Sequence, residues 1–175
     1  MPAIALQALA DETGGQLVGE SVALQNLAID SREVKAGDLF AAMSGQRVDG
    51  HDFAPQALAA GASALLTERK LEGFSPQLVV ADVLQASGRF GCLKRQAFEG
   101  DVIAITGSAG KTTTKNLVAA ALATAGAVHA TVGNQNNELG VPITLSGLTN
   151  YHRCGVIEMG AGQPGDIAYL CQLAR

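Results

Sequence analysis

Lys111 and Thr112 close the run Thr106-Gly107-Ser108-Ala109-Gly110-Lys111-Thr112-Thr113, and no other stretch of the chain is better equipped for chemistry. The glycines Gly107 and Gly110 let the backbone curl so that the amides of Ser108, Ala109 and their neighbours point into one concavity, a nest for phosphate oxygens. A helix starting there adds unpaired amides and its positive dipole end. Lys111 supplies a mobile positive charge for the β and γ phosphates, and the Thr112 hydroxyl is placed for Mg²⁺. The common pattern G-x-x-x-x-G-K-[ST] would put glycine at Ile105, so this is a shortened loop. The competing reading is a plain glycine turn with an exposed lysine. Glu158, which ends the apolar run Cys154-Gly155-Val156-Ile157, is the second group of interest. Alone, an acid at a strand end is more often a solvated surface group. Beside a phosphate loop it is suited to hold Mg²⁺, directly or through water, because ligands of parallel sheets gather beyond the carboxyl ends of the strands. Asn134, Asn136 and Asn137 cluster after Gly133, and by themselves read as a turn.

These residues need a strand before the loop and a helix after it. Residues 102–106 are apolar throughout, which predicts a strand buried on both faces, and an Ala-rich helix is expected over 112–125. Strands over 127–130 and 154–157, a short helical run before Leu148 and a helix over 165–173 complete a βα alternation that implies a parallel sheet. Ahead of this lies a smaller α/β unit. A helix is expected over 4–12, strands over 16–18, 27–30, 39–43, 64–67 and 78–80, and a helix over 53–60 with Asp52 as N-cap and Pro55 in its first turn. Helical spacing of Val83, Ala86, Phe90, Leu93 and Ala97 predicts a helix over 82–98. The fold class is therefore α/β, divided as a first domain over 1–81, a linker helix over 82–100 and a P-loop parallel-sheet domain over 101–175. Three strands are few for a nucleotide-binding sheet, so the chain is expected to be the front part of a longer enzyme.

Composition narrows the partners. The 175 residues are 47% hydrophobic and 16% charged with a net charge of −4, and no basic run appears, which argues against nucleic acid. No apolar run reaches the roughly 20 residues of a membrane span. Cys92, Cys154 and Cys171 are odd in number and widely spaced, as expected for reduced thiols of a cytoplasmic protein. His51, His129 and His152 lack metal-ligand spacing and read as structural.

Three stretches together resemble the Mur ligases of bacterial cell-wall synthesis. They are the shortened loop Thr106–Thr113; the block Asp30-Ser31-Arg32 … Gly37-Asp38-Leu39-Phe40 … Gly45 … Asp49-Gly50-His51-Asp52-Phe53; and the pair Gly133-Asn134-Gln135-Asn136-Asn137-Glu138-Leu139-Gly140-Val141-Pro142 with Val156-Ile157-Glu158-Met159-Gly160-Ala161. The last pair is closest to the branch that joins D-Ala-D-Ala to UDP-MurNAc-tripeptide. The first block is shared with the branch that adds the third amino acid. The resemblance implies a UDP-MurNAc substrate domain followed by an incomplete ATPase domain, and a monomeric, ATP- and Mg²⁺-dependent ligase that works through an acyl phosphate. It implies that Lys111 and Glu158 are catalytic, that Gly107, Ser108, Ala109, Gly110, Lys111, Thr112 and Thr113 hold the ATP phosphates, and that Thr112 and Glu158 bind magnesium. It further places Ser31, Gln46, Arg47, Asn134 and Asn137 on the substrate. The family's downstream lysine, adenine-binding groups and C-terminal domain would lie beyond Arg175, so 175 residues alone are expected to have little ligase activity. The rivals are a ligase of the branch that adds the third amino acid, a P-loop kinase or NTPase, and a non-catalytic UDP-sugar-binding module.

Overall fold

The structure is a computed structural model, and it describes residues 3–45 and 48–175. The chain folds as two compact units, one from Ala3 to Phe90 and one from Gly91 to Arg175.

In the first unit, β1 (Ile4–Ala5) leads into α1 (Leu6–Thr13), and β2 (Gln16–Val18), β3 (Ala23–Leu24) and β4 (Leu27–Ala28) follow. β1 pairs antiparallel with β3, Ile4 opposite Leu24. β5 (Leu39–Ala41) precedes a 3-10 turn at Gly50–Phe53 and α2 (Ala54–Ala60), and β6 (Ala64–Thr67) and β7 (Gln77–Val79) complete the sheet. Its order is β2-β7-β6-β5-β4, all parallel except the β2–β7 pair. Every residue of β5 and β6 is buried, as near-continuous apolar runs in a parallel sheet require. Phe40, Ala42, Ala54, Ala57 and Leu65 belong to one cluster beneath α2. Gln77, polar and wholly buried in β7, is held by its amide: Oε1 accepts from the Leu71 amide at 2.9 Å, and Nε2 donates to the carbonyls of Leu71 at 2.8 Å and Phe74 at 2.6 Å.

The expected cap at Asp52 is corrected. α2 has Phe53 at its N-cap with no side-chain bond. The 3-10 turn precedes the helix, so the amides in need of an acceptor occur a turn earlier, where Asp49 Oδ1 accepts from the His51 amide at 3.0 Å. Asp82 does act as expected at the start of α3 (Val83–Gln96), accepting from the Gln85 amide at 2.9 Å.

The second unit holds β8 (Asp101–Ile105), α4 (Lys111–Leu122), β9 (Val128–Ala130), α5 (Gly140–Ser146), β10 (Cys154–Glu158) and α6 (Asp166–Leu173). The sheet order is β8-β10-β9, parallel throughout, with Glu158 opposite Ile105. The central strand β10 is buried along its whole length. Its core partners include Phe98, Val141, Leu145, Leu170 and Leu173. The expectation of a doubly buried β8 is overturned. Among the described residues β8 has β10 as its only neighbour, Asp101 and Ala104 are exposed, and Val102, Ile103 and Ile105 are half-buried.

Candidate functional site

The glycine loop runs from the end of β8 to the start of α4. Gly110 is the residue before the helix and has φ +75°, a left-handed conformation that favours glycine over any side chain. No side chain caps this terminus, and residues 106–110 are exposed. The first-turn amides and the positive end of the helix therefore face outward from an open loop, the arrangement that receives anions. Lys111 Nζ donates to the Gly107 carbonyl at 2.7 Å, folding its charge over the loop.

Glu158 stands beside this loop. Its side chain ends β10 and the residue is 1% exposed. Oε1 accepts from Thr112 Oγ1 at 3.2 Å and from Asn136 Nδ2 at 2.8 Å, while the Glu158 amide donates to Thr131 Oγ1 at 2.9 Å. Oε2 is buried without a hydrogen-bond partner. A buried carboxylate oxygen left bare is costly unless a proton or a cation satisfies it. A carboxylate and a hydroxyl are hard oxygen donors, and Mg²⁺ is commonly held by one or two carboxylates together with substrate phosphates. The donor set thus fits a magnesium ion. No cluster of three or more His, Cys, Asp or Glu suited to a metal occurs among the described residues.

The asparagines divide their work in a way that residue type alone did not reveal. Asn136 reaches Glu158, and its carbonyl accepts from the Gly160 amide at 2.7 Å, fixing the loop against the residue two beyond the glutamate. Asn137 Oδ1 accepts from the Gly140 amide at 2.9 Å, at the start of α5. Asn134 is exposed, and its carbonyl accepts from the Asn136 amide at 2.7 Å. Thr131, Asn136 and Lys115 are functional candidates that sequence reasoning passed over. Lys115 lies one helical turn after Lys111, is 5% exposed, and donates from Nζ to the Thr131 carbonyl at 2.7 Å. A lysine at i+4 from the loop lysine was the available signal, since that spacing returns to nearly the same face of a helix. Thr113 and Ser108 stay exposed in the loop and first turn.

A separate cavity of about 550 Å³ lies in the first unit, lined by Ile29, Asp30, Ser31, Arg32, Phe40, Met43, Val48, Gly50, Phe53 and Gln56. Ser31, 5% exposed, donates from Oγ to Gln56 Oε1 at 3.0 Å. Arg32 Nε donates to Asp30 Oδ1 at 2.9 Å, and that bond holds the Asp30 carboxyl down to about 2. The cavity combines apolar walls with a few convergent polar groups, the usual make-up of a small-molecule site. Gln46 and Arg47, the other two expected contacts, lie outside the described residues.

Models of one protein family match stretches in both units. The Mur ligase family catalytic domain model matches residues 23–87, and the Mur ligase middle domain model matches residues 105–175. Over its full length the chain is 43% identical to the UDP-N-acetylmuramoyl-tripeptide–D-alanyl-D-alanine ligase of Escherichia coli, and spans 39% of that protein. It is 44% identical over 161 residues to the ligase of the same name from Synechocystis, with 90% of this chain and 36% of that protein covered. A crystal structure of MurF from Acinetobacter baumannii superposes with a TM-score of 0.86 at 36% identity, over 99% of this chain and 40% of that one. The MurF ligase from Thermotoga maritima, solved in complex with ADP, gives 0.75 at 38% identity over 86% and 35%. The chain thus spans about two fifths of the length of the relatives it matches.

Proposed function

The chain belongs to the Mur ligase family, and from that premise we propose that it carries the ATP-phosphate site and the UDP-substrate site of a ligase joining D-Ala-D-Ala to UDP-MurNAc-tripeptide. The observation that carries the reading is Glu158: a buried carboxylate with one oxygen bare, joined to Thr112 at the mouth of a shortened phosphate loop. Identity of 43% to a relative of that name supports the choice of branch. In this reading, residues 1–81 form the UDP-substrate domain and residues 101–175 hold the nucleotide phosphates.

The reaction proposed is transfer of the γ-phosphoryl group of ATP to the tripeptide carboxylate with release of ADP, then attack of the D-Ala-D-Ala amine on the acyl phosphate, forming the amide with loss of phosphate and a proton. Its electrostatic obstacle is the repulsion between a carboxylate and a triphosphate. Loop amides from Gly107 to Thr113 and the Lys111 ammonium neutralise that charge where it develops. Thr112 and Glu158 would hold Mg²⁺, which when bound supplies further neutralisation of the phosphate oxygens. Asn136 and Thr112 both donate to one oxygen of Glu158, so the carboxylate is held in place while its other oxygen keeps no protein partner. In the first unit, Ser31 and Arg32 are the polar contacts for the uridine diphosphate, with Gln46 and Arg47 proposed beside them. Asn134, being exposed, is free to meet substrate, whereas the Asn137 side chain is engaged at α5. A soluble, monomeric protein acting in the cytoplasm, where ATP and nucleotide-linked precursors meet, completes the reading.

Calorimetry tests it. UDP-MurNAc-tripeptide and Mg²⁺–ATP are each expected to bind, and Lys111→Ala to weaken the nucleotide roughly ten- to hundredfold, as loss of a charge-assisted contact implies. Unchanged ATP affinity in that variant would count against the phosphate loop. Binding of the UDP compound without any nucleotide binding would support a UDP-sugar-binding module instead.

A further inference from the structure

Asp49 and His51 form a polar knot in the first unit, and neither has a part in the reaction above. His51 is 3% exposed. Its Nε2 accepts from the Glu68 amide at 3.1 Å, so the ring proton resides on Nδ1, which donates to Asp49 Oδ1 at 2.6 Å. The same Asp49 oxygen accepts from the His51 amide at 3.0 Å. Its other oxygen accepts from Arg69 Nη2 at 2.7 Å, and this bond above all holds the Asp49 carboxyl well below the usual carboxylate range. One imidazole therefore ties the turn at residues 49–51 to the backbone just past β6, and both ring nitrogens are used in doing so.

What the knot holds is a wall of the cavity. Met43, Val48, Gly50 and Phe53 line it, and His51 does not. Residues 43–45 and 48–50 are laced together by the Ser44–Asp49 bridge, by the Gly45 amide to the Val48 carbonyl at 3.0 Å, and by the Gly50 amide to the Met43 carbonyl at 2.8 Å. The approach is so close that a Cβ on Gly50 would stand 2.6 Å from Met43 N and O. Val48 is 56% exposed and Phe53 38%, so apolar packing alone leaves this wall weakly anchored.

We propose that His51 and Asp49 are positioning residues: a neutral imidazole–carboxylate latch that fixes the wall formed by Met43, Val48, Gly50 and Phe53 in the shape that grips the ligand of the cavity. The proposal rests on the reading that the cavity takes a uridine diphosphate group. The latch acts through Val48, Gly50 and Phe53, so its loss is felt as weaker binding rather than as a missing contact. Substitution can separate its two halves. Asparagine places an amide donor near the position of Nδ1 and keeps the bond to Asp49, whereas glutamine places an acceptor near Nε2 and keeps the Glu68 amide satisfied.

The test is titration of UDP, with Mg²⁺–ADP as a control on the other unit, into the wild type and the variants His51→Ala, His51→Asn, His51→Gln and Arg69→Gln. His51→Ala is expected to lose roughly ten- to hundredfold in UDP affinity, the scale of a small misplacement of a binding wall. The Asn and Gln variants should each recover part of that loss, Arg69→Gln should lose only about two- to threefold, and Mg²⁺–ADP affinity should hold throughout. Wild-type UDP affinity in His51→Ala overturns the latch. So does joint loss of UDP and Mg²⁺–ADP binding in all three His51 variants, which would mean a general folding role. Should the wild type itself take no UDP, the reading of the cavity fails, and the latch is judged by hydrogen exchange at the Gly45 and Gly50 amides. Faster exchange in His51→Ala upholds it; unchanged protection overturns it.

Discussion

The two sheets, one mostly and one wholly parallel, are both built on short, largely apolar strands that end up in different environments. In the five-stranded sheet, β5 and β6 have a hydrogen-bonded strand on either side and every residue buried. In the three-stranded sheet only β10 reaches that state; β8 has one neighbour, and its isoleucines are half-buried. The first sheet's inner strands bury mainly hydrocarbon, with the neutral polar side chains of Thr67 and Gln77 among it. The second sheet's inner strand finishes in a buried carboxylate with an unpaired oxygen. Apolar composition thus states what a strand tolerates, and its neighbours decide what it receives.

The widest gap between the sheets should appear in core truncation. Phe40→Ala, at a side chain 1% exposed, is expected to cost about 3–5 kcal/mol, transfer and cavity together. Ile103→Ala in β8 should cost under about 2 kcal/mol, because part of its surface is already wet. Chemical denaturation of both variants checks this, and equal losses would erase the distinction drawn between the sheets.

A smaller effect, of opposite sign, concerns Glu158. Glu158→Gln keeps the shape and an acceptor for Asn136 while removing a buried charge whose Oε2 is unpaired. Metal-free protein is expected to gain about 1 kcal/mol, and Mg²⁺ is expected to lose its enhancement of ADP binding. A variant that is less stable and still magnesium-dependent would contradict both the unpaired oxygen and its purpose.

Smallest is the dependence on pH near neutrality. Burial pushes His129 and His152 below their ordinary 6.5. The unfolded chain therefore binds protons there before the folded chain does, so this stabilisation is complete above 6.5 and is lost as pH falls through the folded values. The urea midpoint should drop between about pH 7.5 and about pH 5.5, and His129→Gln should flatten the drop. Asp30 and Asp49, depressed from 3.8, act in a lower window: their contribution is intact above 3.8 and declines only in stronger acid. A midpoint that does not move in the upper window would show that the histidines are as solvated folded as unfolded.

Much of this was legible in the sequence because it depends on local rules. The α/β alternation, the helix at 83–96 with Asp82 before it, and the loop between β8 and α4 follow from periodicity and glycine placement. What stayed illegible depends on partners far along the chain. Three asparagines within four residues look alike as letters, and only the backbone path sends Asn136 to Glu158 and Asn137 to α5. The cap moved from Asp52 to Asp49 because a 3-10 turn was inserted ahead of α2, which apolar spacing does not signal. His51, read as merely structural, is joined to a residue 17 positions away.

Gln77 shows how a position can be constrained by chemistry with no contact to any ligand. It uses its acceptor once and its amide nitrogen twice to fasten the 71–74 turn to the sheet. Leucine or methionine would fill the space, strand the Leu71 amide and the Phe74 carbonyl, and leave the Leu71 carbonyl only the Phe74 amide at 3.4 Å; glutamate would match the acceptor and set its charge against two carbonyls. The twenty-letter alphabet holds few substitutes with both faces of an amide at that reach. Tolerance at this site is therefore governed by valence rather than by volume, and a library of substitutions there should accept fewer residues than at Leu78 beside it.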